Sequence, residues 1–130
     1  MQARGTFIVT LLPLEQNALL QGTPLGRMSI DKQFDGDMIG SSKGEMMAIR
    51  SPVEGSAGYV AMECVTATLH GRAGSFALQH NGVMTRGEPQ LTVTVVPDTG
   101  TEQLAGIKGI LRIIIEGGKH FYEFDYELPG

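Results

Sequence analysis

The chain predicts an all-β fold, an eight-stranded antiparallel up-and-down barrel, on three observations. Apolar residues recur at period two over much of its length, as in strands with two unlike faces. Eighteen glycines, about twice the usual share, supply many turns. Each extended segment is joined to the next by a short turn, which sets consecutive strands side by side.

The segments follow one another in order. Thr6 to Leu12 alternates polar and apolar residues, and Pro13 is expected to stop it. Glu15 to Pro24 reads as an excursion or short helical turn, ended by Gly22 and Pro24. Leu25 to Phe34 alternates again, with Met28, Ile30 and Phe34 set apart from Arg27, Asp31 and Gln33. Asp35-Gly36 is a hairpin corner, because glycine reaches positive φ without strain. Met38 to Arg50 is the next strand, and its Gly40 and Gly44 mark bends or close backbone approach.

Ser51 to Ser56 is a loop. From Gly58 to His80 come two strands around the turn Gly71-Arg72-Ala73-Gly74, with Asn81-Gly82 expected to close the second. Gln90 to Val96 is strongly β-branched and ends at Pro97. Asp98 to Leu104 resembles a one-turn helix, with Asp98 or Thr99 available to cap its free N–H groups. Ile107 to Glu116 is the most apolar strand, and Gly117-Gly118 turns it into His120 to Leu128.

Eight antiparallel strands can close on themselves, which removes exposed edges and leaves room for one small ligand. A two-sheet sandwich is the alternative, but the hairpin-to-hairpin order favours the barrel. Two strands are apolar on both faces: Ile110, Ile113, Ile114 and Ile115 in one, and Val60, Met62 and Cys64 against Tyr59, Ala61 and Val65 in the other. A lone barrel strand should have one wet face. Double-sided burial therefore predicts self-association, as a dimer or trimer.

Length and composition set the remaining bounds. The 130 residues suit one barrel domain, 1–130. With 42% hydrophobic and 18% charged residues the chain belongs with folded proteins. A net charge of −4 and scattered Lys and Arg argue against nucleic acid as a partner. One cysteine permits no intrachain disulfide and suits a reducing compartment. Threonines interrupt the N-terminal apolar run at period two, so it reads as a strand and not a signal peptide. No stretch approaches the ~20 apolar residues of a spanning helix. The expected location is the cytoplasm, with no membrane partner.

Candidate chemistry gathers around Glu63. It shares a strand face with Tyr59, Ala61, Val65 and Leu69, and a carboxylate removed from water must be paired, hydrogen-bonded or shifted in pKa. It reads either as an acid/base or ligand anchor inside the barrel, or as the structural partner of an arginine or an exposed outer residue. Arg72, in the turn after the Glu63 strand, could bind a carboxylate at the barrel mouth or stand solvated. His120, Tyr122, Phe124 and Tyr126 share one face, aromatic with polar tips, that suits either a small-molecule lining or plain core.

Other motifs fail. His70, His80 and His120 are too widely spaced for a metal site, which argues against a cupin, and no cofactor is expected. Asp31 to Ser42 lacks the final glutamate of a calcium loop. Gly100 to Gly109 lacks the Gly-Lys-Ser/Thr of a phosphate cradle. Cys64 sits mid-strand with no activating histidine beside it, and is expected to be a buried, inert thiol.

Several segments together carry a family resemblance: Phe34-Asp35-Gly36-Asp37, Gly58-Tyr59-Val60-Ala61 with Glu63, Gly71-Arg72-Ala73-Gly74-Ser75-Phe76 with Gln79-His80, Val95-Val96-Pro97-Asp98-Thr99-Gly100-Thr101 with Leu104-Ala105-Gly106, and His120-Phe121-Tyr122 with Tyr126. From about Arg27 onward the chain resembles a bacterial family of unknown function grouped with the allene oxide cyclase-like barrels. The resemblance implies an eight-stranded antiparallel barrel with a cavity, and oligomerisation. The plant cyclases of that group and the related dirigent proteins are trimers that hold reactive apolar molecules in the barrel. No motif carries their active-site residues across, so cyclase activity is not implied.

Three functions remain in view. A binding barrel would hold a small apolar molecule in a pocket lined by Tyr59, Phe76, Tyr122, Phe124 and Tyr126, with Glu63, Arg72 or His120 fixing its polar end. An isomerase or cyclase would use the same cavity, with Glu63 or His120 as acid/base. A filled barrel would serve assembly. Strand register separates them, since a slip of one residue reverses every side chain. Glu63→Gln is expected to keep the fold and to weaken a ligand that needs a charge or proton there.

Overall fold

A computed structural model describes residues Met1–Gly130. Eight strands form one closed antiparallel barrel in sequence order: β1 (Gln2–Leu14), β2 (Leu25–Gly36), β3 (Met38–Arg50), β4 (Ala57–Leu69), β5 (Arg72–Thr85), β6 (Glu88–Val95), β7 (Lys108–Glu116) and β8 (Lys119–Glu127). The circle closes where β8 pairs with β1, Ala3 opposite Phe124 and Phe7 opposite His120. Period two therefore decides every position: β4 buries Ala61, Glu63, Val65, Ala67 and Leu69 and turns the residues between them outward. No helix is long and apolar enough to cross a membrane.

Most turns fall where the glycines predict them, and two do not. His70 and Gly71, with φ of 47° and 81°, make the β4–β5 corner, so Arg72 opens β5 instead of sitting in the turn. β5 runs straight through Asn81-Gly82 and reverses at Arg86-Gly87, φ 48° and 92°, the positive pair that a two-residue hairpin requires. Pro13 does not end β1 either; it pairs with Met28 one residue before the strand stops.

The segment between β6 and β7 is more than a connection. β6 pairs with β5 only over Leu78–Thr85, and with β7 at the single pair Thr94–Ile110. Along the unpaired part of β5, loop side chains take the place of a strand. Ala73 N–H donates to Gln103 Oε1 at 2.8 Å, Ser75 N–H to Thr101 Oγ1 at 3.0 Å and Ala77 N–H to Thr99 Oγ1 at 3.0 Å. Thr99 is thus committed to β5 and does not cap the short 3-10 turn Glu102–Leu104, which has no side-chain cap. Leu104 and Ile107, both fully buried, close this end of the barrel.

The core is consequently lopsided. Ala3, Phe34, Met38, Leu69, Phe76, Leu104, Ile107, Phe124 and Tyr126 fill the half toward the β4–β5 corner. Phe76 stacks on Phe124 with ring centroids 5.6 Å apart. Tyr122 accepts from Met38 N–H at 2.9 Å and reaches the Asp35 carbonyl at 2.9 Å, tying β8 to the β2–β3 corner. On the outside, Met47, Val60, Met62 and Ile110 are exposed. Cys64 is exposed as well, contrary to the buried thiol expected, because the register that buries Glu63 turns its neighbour outward.

Candidate functional site

Four polar side chains meet inside the barrel, one from each of four successive strands: Lys32 (β2), Ser42 (β3), Glu63 (β4) and His80 (β5), all at most 4% exposed. The register brings them together. Lys32 lies opposite Ser42, Gly44 opposite Glu63, and Ala61 opposite His80. Gly44 is required there, since a Cβ on it would stand 2.7 Å from Glu63 Cα and 2.9 Å from Glu63 Cβ.

Glu63 is the hub. Its Oε1 accepts from Lys32 Nζ at 2.9 Å and from His80 Nε2 at 2.6 Å, and its Oε2 accepts from Ser42 Oγ at 2.5 Å. Burial by itself pushes this carboxyl up. The His80 hydrogen bond, the Lys32 charge and the Ser42 hydrogen bond outweigh burial and hold it at about 2. Glu63 is therefore a carboxylate, an acceptor only. His80 must carry its proton on Nε2 to donate, which leaves the Nδ1 lone pair for the Tyr59 hydroxyl 3.2 Å away. Burial, and after it the Glu63 charge, push the Tyr59 phenol up, so it stays a neutral donor.

A second glycine seats Tyr59. Gly82 lies directly opposite it, and a Cβ there would come within 2.4 Å of Tyr59 Cε1. The ring lies over that gap toward His80, with centroids 6.1 Å apart. Lys32 is held on its apolar side by Phe7, whose ring centre is 4.9 Å from Nζ. Glu63 is the sole hydrogen-bond acceptor for the three donors of this ammonium.

Above the cluster the barrel is not filled. A recess of about 250 Å³ opens toward the β5–β6 corner. Phe7, Val9, Leu11, Ile30, Met46, Leu91, Ile113 and Ile115 make its apolar wall, and Lys32, Tyr59, His80 and His120 its polar points. Glu63 is not on its surface. It stands behind Lys32 and His80, so its chemistry reaches the recess through them. Wider hollows, such as that around Thr6, Ile114 and Phe121, lie on the outer wall.

The residues singled out from sequence divide accordingly. Tyr59 and His120 line the recess, and Glu63 lies directly beneath it. Phe76, Tyr122, Phe124 and Tyr126 face inward but pack in the filled part. Tyr126 bonds His70 Nδ1 at the far end, and Arg72 is exposed beside that corner. The structure does not bring these five to the recess. Lys32, Ser42 and His80 were missed, although their positions in the alternation mark them. Lys32 falls in the inward phase of Ile30 and Phe34, and His80 in that of Phe76 and Leu78. No three His, Cys, Asp or Glu side chains converge as metal ligands would.

Residues 3–126 match a family described as "Protein of unknown function (DUF3224)". The chain belongs to the DUF3224 family. A DUF3224 protein of unknown function from Shewanella oneidensis MR-1, solved by crystallography, is similar over 100% of this chain and 98% of its own. It is 44% identical, with a TM-score of 0.93. No curated protein matches. The eight-stranded barrel implied by the resemblance is the fold observed for this DUF3224 member.

Proposed function

We propose that this barrel binds a small, largely apolar molecule in its open half, with the polar end of the ligand against Lys32, Tyr59 and His80. The observation that carries the reading is a charged, hydrogen-bonded cluster at the floor of an otherwise apolar recess. Burying an ion pair costs several kcal/mol per ion before pairing recovers it, and apolar packing of the same volume is commonly as stable or more so. A filled core would thus have served stability better. At about 250 Å³ the recess lies just below the usual ~300–1,000 Å³ range for ligand sites, which points to a small ligand.

Native mass spectrometry of the protein purified from its own host tests this. A co-purifying small molecule, released on denaturation and lost from a variant with the recess filled (Leu91→Trp), is the expected result. A barrel that carries no adduct and takes up none from a library of small apolar compounds overturns it. The same spectra report subunit number. Exposed Met47, Val60 and Met62 on adjoining strands support the expected self-association, as dimer or trimer, and a monomer at all concentrations would remove it.

A further inference from the structure

We propose that the recess is also a catalytic site, in which Tyr59 and His80 move a proton at a carbon next to a carbonyl while Lys32 holds the carbonyl oxygen. This rests on the binding reading above and assigns it a substrate class, small apolar ketones or enones, and a reaction class, enolisation.

The roles follow from which atoms are free. Glu63 cannot be the base: three donors occupy its oxygens and it has no surface on the recess. Its effect is to fix His80 with Nε2–H toward itself and a lone pair on Nδ1, the orientation that a carboxylate imposes on a catalytic imidazole. The hydroxyl 3.2 Å from Nδ1 belongs to Tyr59, which lines the recess. Hydroxyl, imidazole and carboxylate therefore form a chain in which each member is oriented by the next.

Lys32 supplies the electrophilic side. It lines the same recess, and two of its three donors have no acceptor in the protein. The charges of Lys32 and Glu63 cancel. A further anion would enter a water-poor site beside a carboxylate, whereas a neutral carbonyl needs only a donor. The site therefore favours ketones over carboxylates.

The step balances within the site. The carbonyl oxygen accepts from Lys32 Nζ. The Tyr59 oxygen takes the α-proton as its own proton passes to His80 Nδ1. The breaking C–H pair becomes the C=C bond, and the carbonyl π pair moves to the oxygen facing the ammonium. The imidazolium is paired with Glu63. Return of the proton along the same path, to the same carbon or to a conjugated one, completes an exchange or an isomerisation with no co-reactant.

The test is proton–deuterium exchange of cyclohexanone in D2O, followed by NMR, with saturation transfer reporting whether the ketone is bound. Wild type should accelerate α-deuteration by at least about a hundredfold over buffer, within the range of general acid–base catalysis. Tyr59→Phe, which keeps the ring, should lose at least about tenfold while still binding the ketone, and His80→Gln should fall to background. Cys64→Ser, on the outer wall, should be unchanged. Ketone that binds but exchanges no faster than in buffer, or equal rates for wild type and Tyr59→Phe, overturns the catalytic inference and leaves the binding reading standing. Absence of bound ketone removes the proposed substrate class and overturns the catalytic inference, while the binding reading is decided by the native mass spectra.

Discussion

His80 stands 2.6 Å from Glu63 through Nε2 and 3.2 Å from the Tyr59 hydroxyl through Nδ1. A carboxylate on one side dictates the tautomer on the other. Nitrogen-15 NMR at neutral pH should therefore show His80 as a single Nε2–H tautomer. In Glu63→Gln, whose amide can donate or accept, both tautomers should be populated. A mixture already present in the wild type would mean that Glu63 does not orient the ring.

The Lys32–Glu63 pair is the costliest element of the interior, and it changes the expectation for Glu63→Gln. Shape is kept by that substitution, but the Lys32 ammonium is stranded at 5% side-chain exposure. Removing one partner of a buried pair typically costs about 3–5 kcal/mol. Urea denaturation should show Glu63→Gln destabilised by that amount, and Lys32→Met combined with Glu63→Gln should recover much of it. A double variant as unstable as the sum of its single changes would show that the two groups act independently.

Glu63 also sets an acid limit. Its folded value, about 2, lies below its ordinary 4.5, so the unfolded chain binds its proton first as pH falls. The stabilisation is complete above about pH 5 and is lost progressively as pH falls toward 2. Its size is on the order of 3 kcal/mol. Urea unfolding across pH 6 to 2 should show this slope in the wild type and a shallower one in the Lys32→Met, Glu63→Gln double variant. Parallel profiles would assign the acid sensitivity to other carboxylates.

These consequences were only partly legible in the chain. Alternation and turn glycines are local signals, and they place the eight strands and the inward phase of β4 that carries Glu63. The partners of Glu63 come from strands 31, 21 and 17 residues away, and only barrel register aligns them. Tyr122 and Tyr126 were legible as inward-facing but not as belonging to the filled half. Leu104, which helps fill it, is delivered by a loop whose Thr99 reads as a helix cap until β5 is seen beside it. Asn81-Gly82 has the composition of a turn, and nothing local reveals that Gly82 is mid-strand to make room for an aromatic ring.

Gly82 therefore gives a direct test of how the site is built. A methyl group on it would stand 2.4 Å and 2.8 Å from two Tyr59 ring carbons, and Tyr59 is the more mobile party because it borders the open recess. In Gly82→Ala the ring should swing into the recess and its hydroxyl should leave His80 Nδ1. Overpacking of this kind costs about 1–3 kcal/mol. A denaturation series should find that loss in Gly82→Ala, and a much smaller one when Tyr59→Leu is added, because the conflict is then removed. Equal losses with and without the tyrosine would place the cost in the β5 backbone, and the glycine would have no part in seating Tyr59.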